Sequence, residues 1–346
     1  MRILLTGVSG FAGQALLPRL LDQGHDVRAL ARDRSRVERA LESMTLESGL
    51  DVALTDFELV IGDTLSGAGM VEAMREIEVA YYLIHSMEPA GGAAGGATAG
   101  TNGTATAGTN GIATAGALGA SFPARERASA ETFAQAARAA GVGRIVYLGG
   151  PPPRAQRTST HLSSRYAVER ILMDAVPNSV ALRASIVIGA RSRSFRFLVR
   201  LVERLRVLAL PAWRNFRTQP IDERDVLAML AACAANEAVA GRSLDVGGPD
   251  VLSYGEMVER IAELMMLARP SVGLGLTVTP IAARVAAALT NERPELVLPL
   301  MEGLTRDLLT ADDDASELLG VELHSFDSAV EHALYEWEKV ERLAAR

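Results

Sequence analysis

Eight residues near the N-terminus, Thr6-Gly7-Val8-Ser9-Gly10-Phe11-Ala12-Gly13, constrain the fold of this chain more than any other stretch. They follow a short apolar run, residues 3–6, and lead into an apolar-patterned stretch that reaches Leu21. That sequence of features predicts strand, tight turn and helix. Gly7 permits the sharp turn, Gly10 lets a ligand approach the backbone, and Gly13 lets the helix pack on the strand. Amides at the helix start, with the positive end of its dipole, would then face a pyrophosphate, with Thr6, Ser9, Phe11 and Ala12 completing the loop.

The pattern repeats along the chain. Strands are expected at 27–31, 58–61, 79–84, 144–149 and 180–187, and helices at 67–76, 124–140 and 161–175. Apolar strands alternating with helices predict an α/β fold of the Rossmann type, a doubly wound parallel sheet covered on both faces. Residues 90–121 interrupt it with a Gly/Ala/Thr-rich stretch that contains the repeat AGTNGTAT and AGTNGIAT. Such a composition buries too little apolar surface to fold alone and reads as a flexible insertion. After residue 190 the character changes. The expected division is a sheet domain of residues 1–190 plus 219–248, and a smaller, mostly helical substrate or cap domain of residues 191–218 plus 249–346.

Charge and composition exclude several classes. Of 346 residues 35 are basic and 42 acidic, a net charge of −7, which argues against a nucleic-acid partner. No apolar run is long enough for an integral membrane segment, and no secretory pattern opens the chain, so a cytoplasmic location is expected. The single Cys233 excludes disulfide frameworks and multi-cysteine metal sites, and no metal is expected. Lys339 is the only lysine; every other basic residue is arginine. A phosphate-binding loop ending in Gly-Lys is therefore absent, and so is lysine acid–base chemistry in the body of the chain.

The end of the second strand selects the cofactor. Sites for NAD usually place an acid there to bind the ribose hydroxyls. Here the strand ends Leu30-Ala31-Arg32-Asp33-Arg34-Ser35-Arg36. Arg32 is placed to hold a 2′-phosphate, with Arg34, Ser35 and Arg36 nearby, so NADP(H) is favoured over NAD(H). Asp33 is the counter-argument, although it lies one residue later.

These features resemble the short-chain dehydrogenase/reductase superfamily, in its atypical and extended branches. The glycine run 6–13 is similar to that superfamily's motif. Ile61-Gly62-Asp63 resembles the pair after the third strand, which implies that Asp63 approaches the adenine. Leu83-Ile84-His85-Ser86 resembles the fourth strand's end beside the cofactor. Arg183-Ala184-Ser185-Ile186-Val187-Ile188-Gly189 and the run 221–226 resemble later motifs of the same family. The arrangement also looks like bacterial NAD(P)H-binding proteins related to a complex I accessory subunit and to NmrA-like redox sensors.

The catalytic helix departs from the resemblance. Where the family carries YxxSKxxxE, this chain reads His161-Leu162-Ser163-Ser164-Arg165-Tyr166-Ala167-Val168-Glu169. The family serine after the fifth strand falls on Gly149-Gly150. A second register would use Tyr166 and Arg170. His161 and Arg165 share one face of a helix. Histidine can donate a proton near neutrality, and Arg165 can hold ribose hydroxyls but cannot shuttle a proton. His161 reads equally as a helix-border residue, and His85 either as an alternative donor or as a packed strand-end residue.

The expected function is hydride transfer to or from a carbonyl or activated alkene. The alternative is a non-catalytic NAD(P)H sensor or assembly factor. A nucleotide-sugar epimerase or dehydratase is weakened by the missing tyrosine. Residues 191–217 hold eight arginines, with Arg196, Arg200 and Arg204 on one side of a helix expected at 193–206. That side suits an anionic ligand, a membrane surface, a partner, or simply solvent. Leu274, Leu276, Val278, Ile281 and Val285 would give the cap an apolar lining. The small-molecule partner is accordingly apolar or anionic, and a homo-oligomer is compatible with the sequence.

Overall fold

The computed structural model describes residues 1–49, 51–84, 121–152, 160–274, 306–311 and 314–343. His85, residues 90–120 of the insertion, and Leu276, Val278, Ile281 and Val285 lie outside them.

Strands β1 (Arg2–Thr6), β2 (Asp26–Ala31), β3 (Glu58–Ile61), β4 (Val79–Tyr82), β5 (Arg144–Gly149) and β6 (Val180–Ala184) join an edge strand, Ser243–Val246, in one sheet. Its order is edge–β6–β5–β4–β1–β2–β3, and every pairing is parallel. This is the doubly wound arrangement that the strand–helix alternation predicts. The order reverses between β1 and β4, where open α/β sheets bind ligands beyond their strand ends. Ile3, Leu4 and Leu5 of β1 are fully buried because β1 lies mid-sheet with both faces covered.

Helices α1 (Phe11–Asp22) and α2 (Arg34–Ser48) pack on one face together with the helix Glu223–Ala232. The other face carries α3 (Met70–Ala73) and the helices Phe122–Ala140 and Thr160–Ala175. A separate apolar core joins the helices Arg193–Arg204, Tyr254–Leu264 and Phe326–Glu338 around Phe195, Trp213, Tyr254 and Trp337.

Two elements differ from the sequence expectation. The helix expected at 67–76 is reduced to the four residues of α3, because Gly67 and Gly69 adopt φ of +78° and +74° and Glu76 one of 60°. The strand expected at 180–187 ends at Ala184. Ser185 donates its hydroxyl to the Gln219 carbonyl at 3.0 Å, and Val187–Ile188 leaves the sheet to pair with Ile221–Asp222. The C-terminal stretch serves both cores: Ala315 and Leu319 pack with the sheet, Phe326 to Trp337 with the second cluster.

Candidate active site at the sheet switch point

The glycine turn sits where β1 meets α1. Gly7 has φ +73°, and a Cβ there would lie 2.7 Å from the Leu83 carbonyl oxygen. A Cβ on Gly13 would meet the Gly7 carbonyl oxygen at 2.3 Å, so a side chain there cannot coexist with this turn. Gly10 is the helix N-cap and brings no side chain to the first amides of α1. Ser9 and Gly10 are exposed, while Phe11 and Ala12 are partly covered. Thr6 lies inside: its hydroxyl donates to the Tyr81 carbonyl at 2.8 Å and accepts from Leu83 N at 3.1 Å. It therefore fixes the β1 and β4 ends on either side of the crevice. This backbone cradle, open at a helix N-terminus, fits a pyrophosphate.

At the end of β2 the two candidate side chains part. Asp33 is the N-cap of α2, its carboxylate accepting from Ser35 N at 2.8 Å and from the Ser35 hydroxyl at 2.9 Å. The Ser35 hydroxyl, and then its amide, hold the Asp33 carboxyl below the ordinary carboxylate range. Arg32 is exposed at the strand end, and Arg34 lies 3.6 Å from Glu38. Asp63 turns its carboxylate toward the amides of Leu65 and Ser66, at 3.3 and 3.2 Å, beside a half-exposed Ile61.

Across the crevice, the helix Thr160–Ala175 carries the remaining candidates. His161 is partly buried and stacks on Phe122, with ring centroids 6.1 Å apart. Arg165 donates to the Leu148 carbonyl and lies over the Tyr147 ring, 5.0 Å from its centroid, while Tyr147 donates its hydroxyl to the Arg165 carbonyl. A Cβ on Gly149 would sit 2.7 Å from Tyr147 Cε1, so the Tyr147 ring takes the space a serine would need. In the second register, Arg170 is exposed and lies 3.9 Å from Asp174. Glu169, buried to 2% exposure, is held by Arg183 at 2.6 Å and by the Ser243 hydroxyl at 2.9 Å, tying the helix to β6 and the edge strand.

Sequence reasoning missed the layer beneath these residues. Ser164 donates to Glu126 at 2.6 Å, and Tyr82 donates to Ser129, which shares a 2.5 Å hydrogen bond with Thr64. The only sequence signal was an acid, Glu126, at core spacing with Ser129 and Phe133 on an otherwise amphipathic helix.

The arginine side of the helix Arg193–Arg204 is not presented as an open basic stripe. Arg196 and Arg200 lie over the Trp337 ring, 4.5 and 4.9 Å from its centroid, and both pair with Glu341. Among the described residues no group of three or more His, Cys, Asp or Glu is placed to hold a metal, and no helix is long and apolar enough to cross a membrane.

A parallel sheet with this strand order and a glycine cradle at its switch point defines a dinucleotide-binding Rossmann protein of the short-chain dehydrogenase/reductase type. The profile of the NAD dependent epimerase/dehydratase family matches residues 3–206, and the chain belongs to that family. The fold is also that of solved epimerases. A nucleoside-diphosphate-sugar epimerase from Staphylococcus aureus superposes with a TM-score of 0.70 at 14% identity, covering 96% of this chain and 100% of the other. UDP-glucuronic acid 4-epimerase from Bacillus cereus, in complex with NAD, gives 0.64 at 14% identity over 99% and 97%. UDP-glucose 4-epimerase from Thermotoga maritima gives 0.65 at 12% identity over 98% and 99%. A search of curated protein sequences gives no match.

Proposed function

We propose that this protein is an NADP(H)-dependent oxidoreductase that moves hydride to or from a carbonyl or activated alkene. The observation that carries the cofactor reading is the division of roles after β2: Asp33 caps α2 while Arg32 stands exposed. An acid engaged in capping is a poor acceptor for ribose hydroxyls, and a guanidinium suits a 2′-phosphate. The amides of Gly10 to Gly13 would hold the pyrophosphate, Asp63 would flank the adenine, and Gly149, Arg165 and His85 would line the nicotinamide side. Bound there, the dinucleotide supplies or accepts the hydride. His161 holds the proton that the reduced oxygen needs, and Arg165 adds fixed positive charge at the end of β5. The nucleotide-sugar chemistry named for the structural neighbours fits this chain less well, because in the favoured register His161 and Arg165 would stand where the family carries tyrosine and lysine. The remaining expectations, a cytoplasmic location and a cap of residues 191–218 plus 249–346 over the substrate, belong to the same proposal.

A second reading, a non-catalytic NAD(P)H sensor, is favoured by one observation. Tyr147 takes the serine's space and, with the Leu148 carbonyl, engages the Arg165 guanidinium.

Titration with NADPH and NADH, followed by nicotinamide fluorescence, tests the cofactor. NADPH is expected to bind at least about tenfold more tightly, and Arg32→Ala to remove that preference, since one charge-assisted contact is worth about 1.5–3 kcal/mol. Equal affinities would overturn the NADP(H) reading, and binding of neither would overturn the dinucleotide reading. With a reducible substrate in hand, His161→Ala separates enzyme from sensor. An enzyme using this acid loses about 10²-fold or more in kcat while its NADPH affinity stays put.

A further inference from the structure

The helix Phe122–Ala140 directs a polar row into the protein beneath the candidate site. Phe122 stacks on His161; one turn on, Glu126 accepts from Ser164; one turn further, Ser129 bonds to Tyr82 and Thr64. Thr64 directly follows Asp63, and Ser164 lies between His161 and Arg165. One helix thus touches the loop after β3 and the turn that carries both candidate catalytic side chains.

Glu126 is the costly member of this row. It is 6% exposed, as is its partner Ser164. A carboxylate is expensive to bury unless its hydrogen bonds are met, and an apolar residue would fill the same space more cheaply. Its charge is felt at the Tyr82 and Tyr147 hydroxyls, both raised chiefly by burial, and Arg165 acts on the same two hydroxyls with the opposite sign. Glu126 and Arg165 therefore flank one aromatic pair from two different helices.

We infer that Glu126 is a positioning residue: through Ser164 it sets the pose of the turn His161–Arg165 against the end of β5. The helix Thr160–Ala175 is tied at its middle by Glu169 with Arg183 and Ser243, and Glu126 supplies a second tie at Ser164, toward its N-terminal end. Two ties on one helix fix its rotation as well as its place, and small misplacements of reacting groups are costly. That this turn faces a dinucleotide rests on the function proposed above; the tie between the helices does not.

The test uses Glu126→Ala, Glu126→Gln and Ser164→Ala in the full chain. Three quantities are read: thermal stability, the rate at which diethyl pyrocarbonate modifies His161 (by peptide mass spectrometry), and NADPH affinity. Glu126→Ala and Ser164→Ala are expected to change the His161 modification rate severalfold and to weaken NADPH binding by about tenfold. Glu126→Gln retains an acceptor for Ser164 and is expected to restore both toward wild type. Should all three variants alter only thermal stability, or Gln behave as Ala does, the positioning role is wrong and Glu126 is a packing residue. Should wild type bind neither dinucleotide while the modification rate still responds, the positioning role stands and the cofactor reading falls.

Discussion

Gly13 shows how a single missing methyl group shapes this protein. Its absent side chain lets α1 approach to where the Gly7 carbonyl lies 2.3 Å from the position of a Cβ, and backbone on both sides leaves nothing able to yield. Gly13→Ala is expected to abolish dinucleotide binding in the fluorescence titration and to cost about 1–3 kcal/mol in urea unfolding. Glu223 is a second residue whose setting decides its chemistry. It is partly buried, its carboxyl lies over Gly189, and burial, reinforced by Asp222 and opposed by Arg191, pushes its pKa up to about 8. The unfolded chain releases that proton near pH 4.5, so between pH 4.5 and 8 the folded state binds the extra proton. Stability from this group is therefore present at low pH and lost as pH rises through about 8. Glu223→Gln is expected to raise the melting temperature at pH 9 and leave it nearly unchanged at pH 5, as scanning calorimetry at the two pH values would show.

At the scale of elements, two strand arginines end helical segments. Arg28 of β2, 4% exposed, donates to the carbonyls of Glu72, Ala73 and Arg75, where α3 gives out. Arg144 of β5, also 4% exposed, donates to the carbonyls of Cys233, Ala234 and Asn236 beyond the helix Glu223–Ala232, and reaches Glu237 at 2.9 Å. Helix ends leave carbonyls without partners, and the guanidinium fork serves several at once. Arg144→Met is expected to destabilise the protein by about 3 kcal/mol or more in urea unfolding, and Arg144→Lys to recover only part of it. The basic helix Arg193–Arg204 uses its arginines differently: two of them hold the C-terminal segment through the Trp337 ring and the Glu341 carboxylate.

For the whole molecule, the C-terminal stretch matters most. Leu319 belongs to the sheet core and Trp337 to the second core, and between them His324 bonds to Asp225 at 2.6 Å and Phe326 N to Asp250 at 2.7 Å. A segment that completes two cores couples their unfolding. One calorimetric transition is expected, shifted upward as a unit by saturating NADPH; two separated transitions, only one of them responding, would show the cores to be independent.

Much of this architecture is written locally in the sequence. A turn that demands glycine at positions 7 and 13, apolar strands at regular intervals, and a chain with one lysine are properties of short windows. They were enough for the parallel sheet and the glycine cradle, and to show that no lysine lies on the helix Thr160–Ala175. What the sequence left open is which side chains meet, whether near in the chain or far apart. The Asp33 carboxylate stands as the counter-argument to a 2′-phosphate site until α2 is seen to begin on it. That the Tyr147 ring takes the space of a Gly149 side chain shows only once the ring is placed, 2.7 Å from that Cβ position. Glu126 meets Ser164 across 38 residues, and Thr6 meets Tyr81 across 75. Periodicity and backbone preference act within a few residues, so they set the elements. Hydrogen bonds of buried polar groups are made only when those elements pack, so the partners of Arg28, Arg144 and Glu126 were decided by tertiary structure alone.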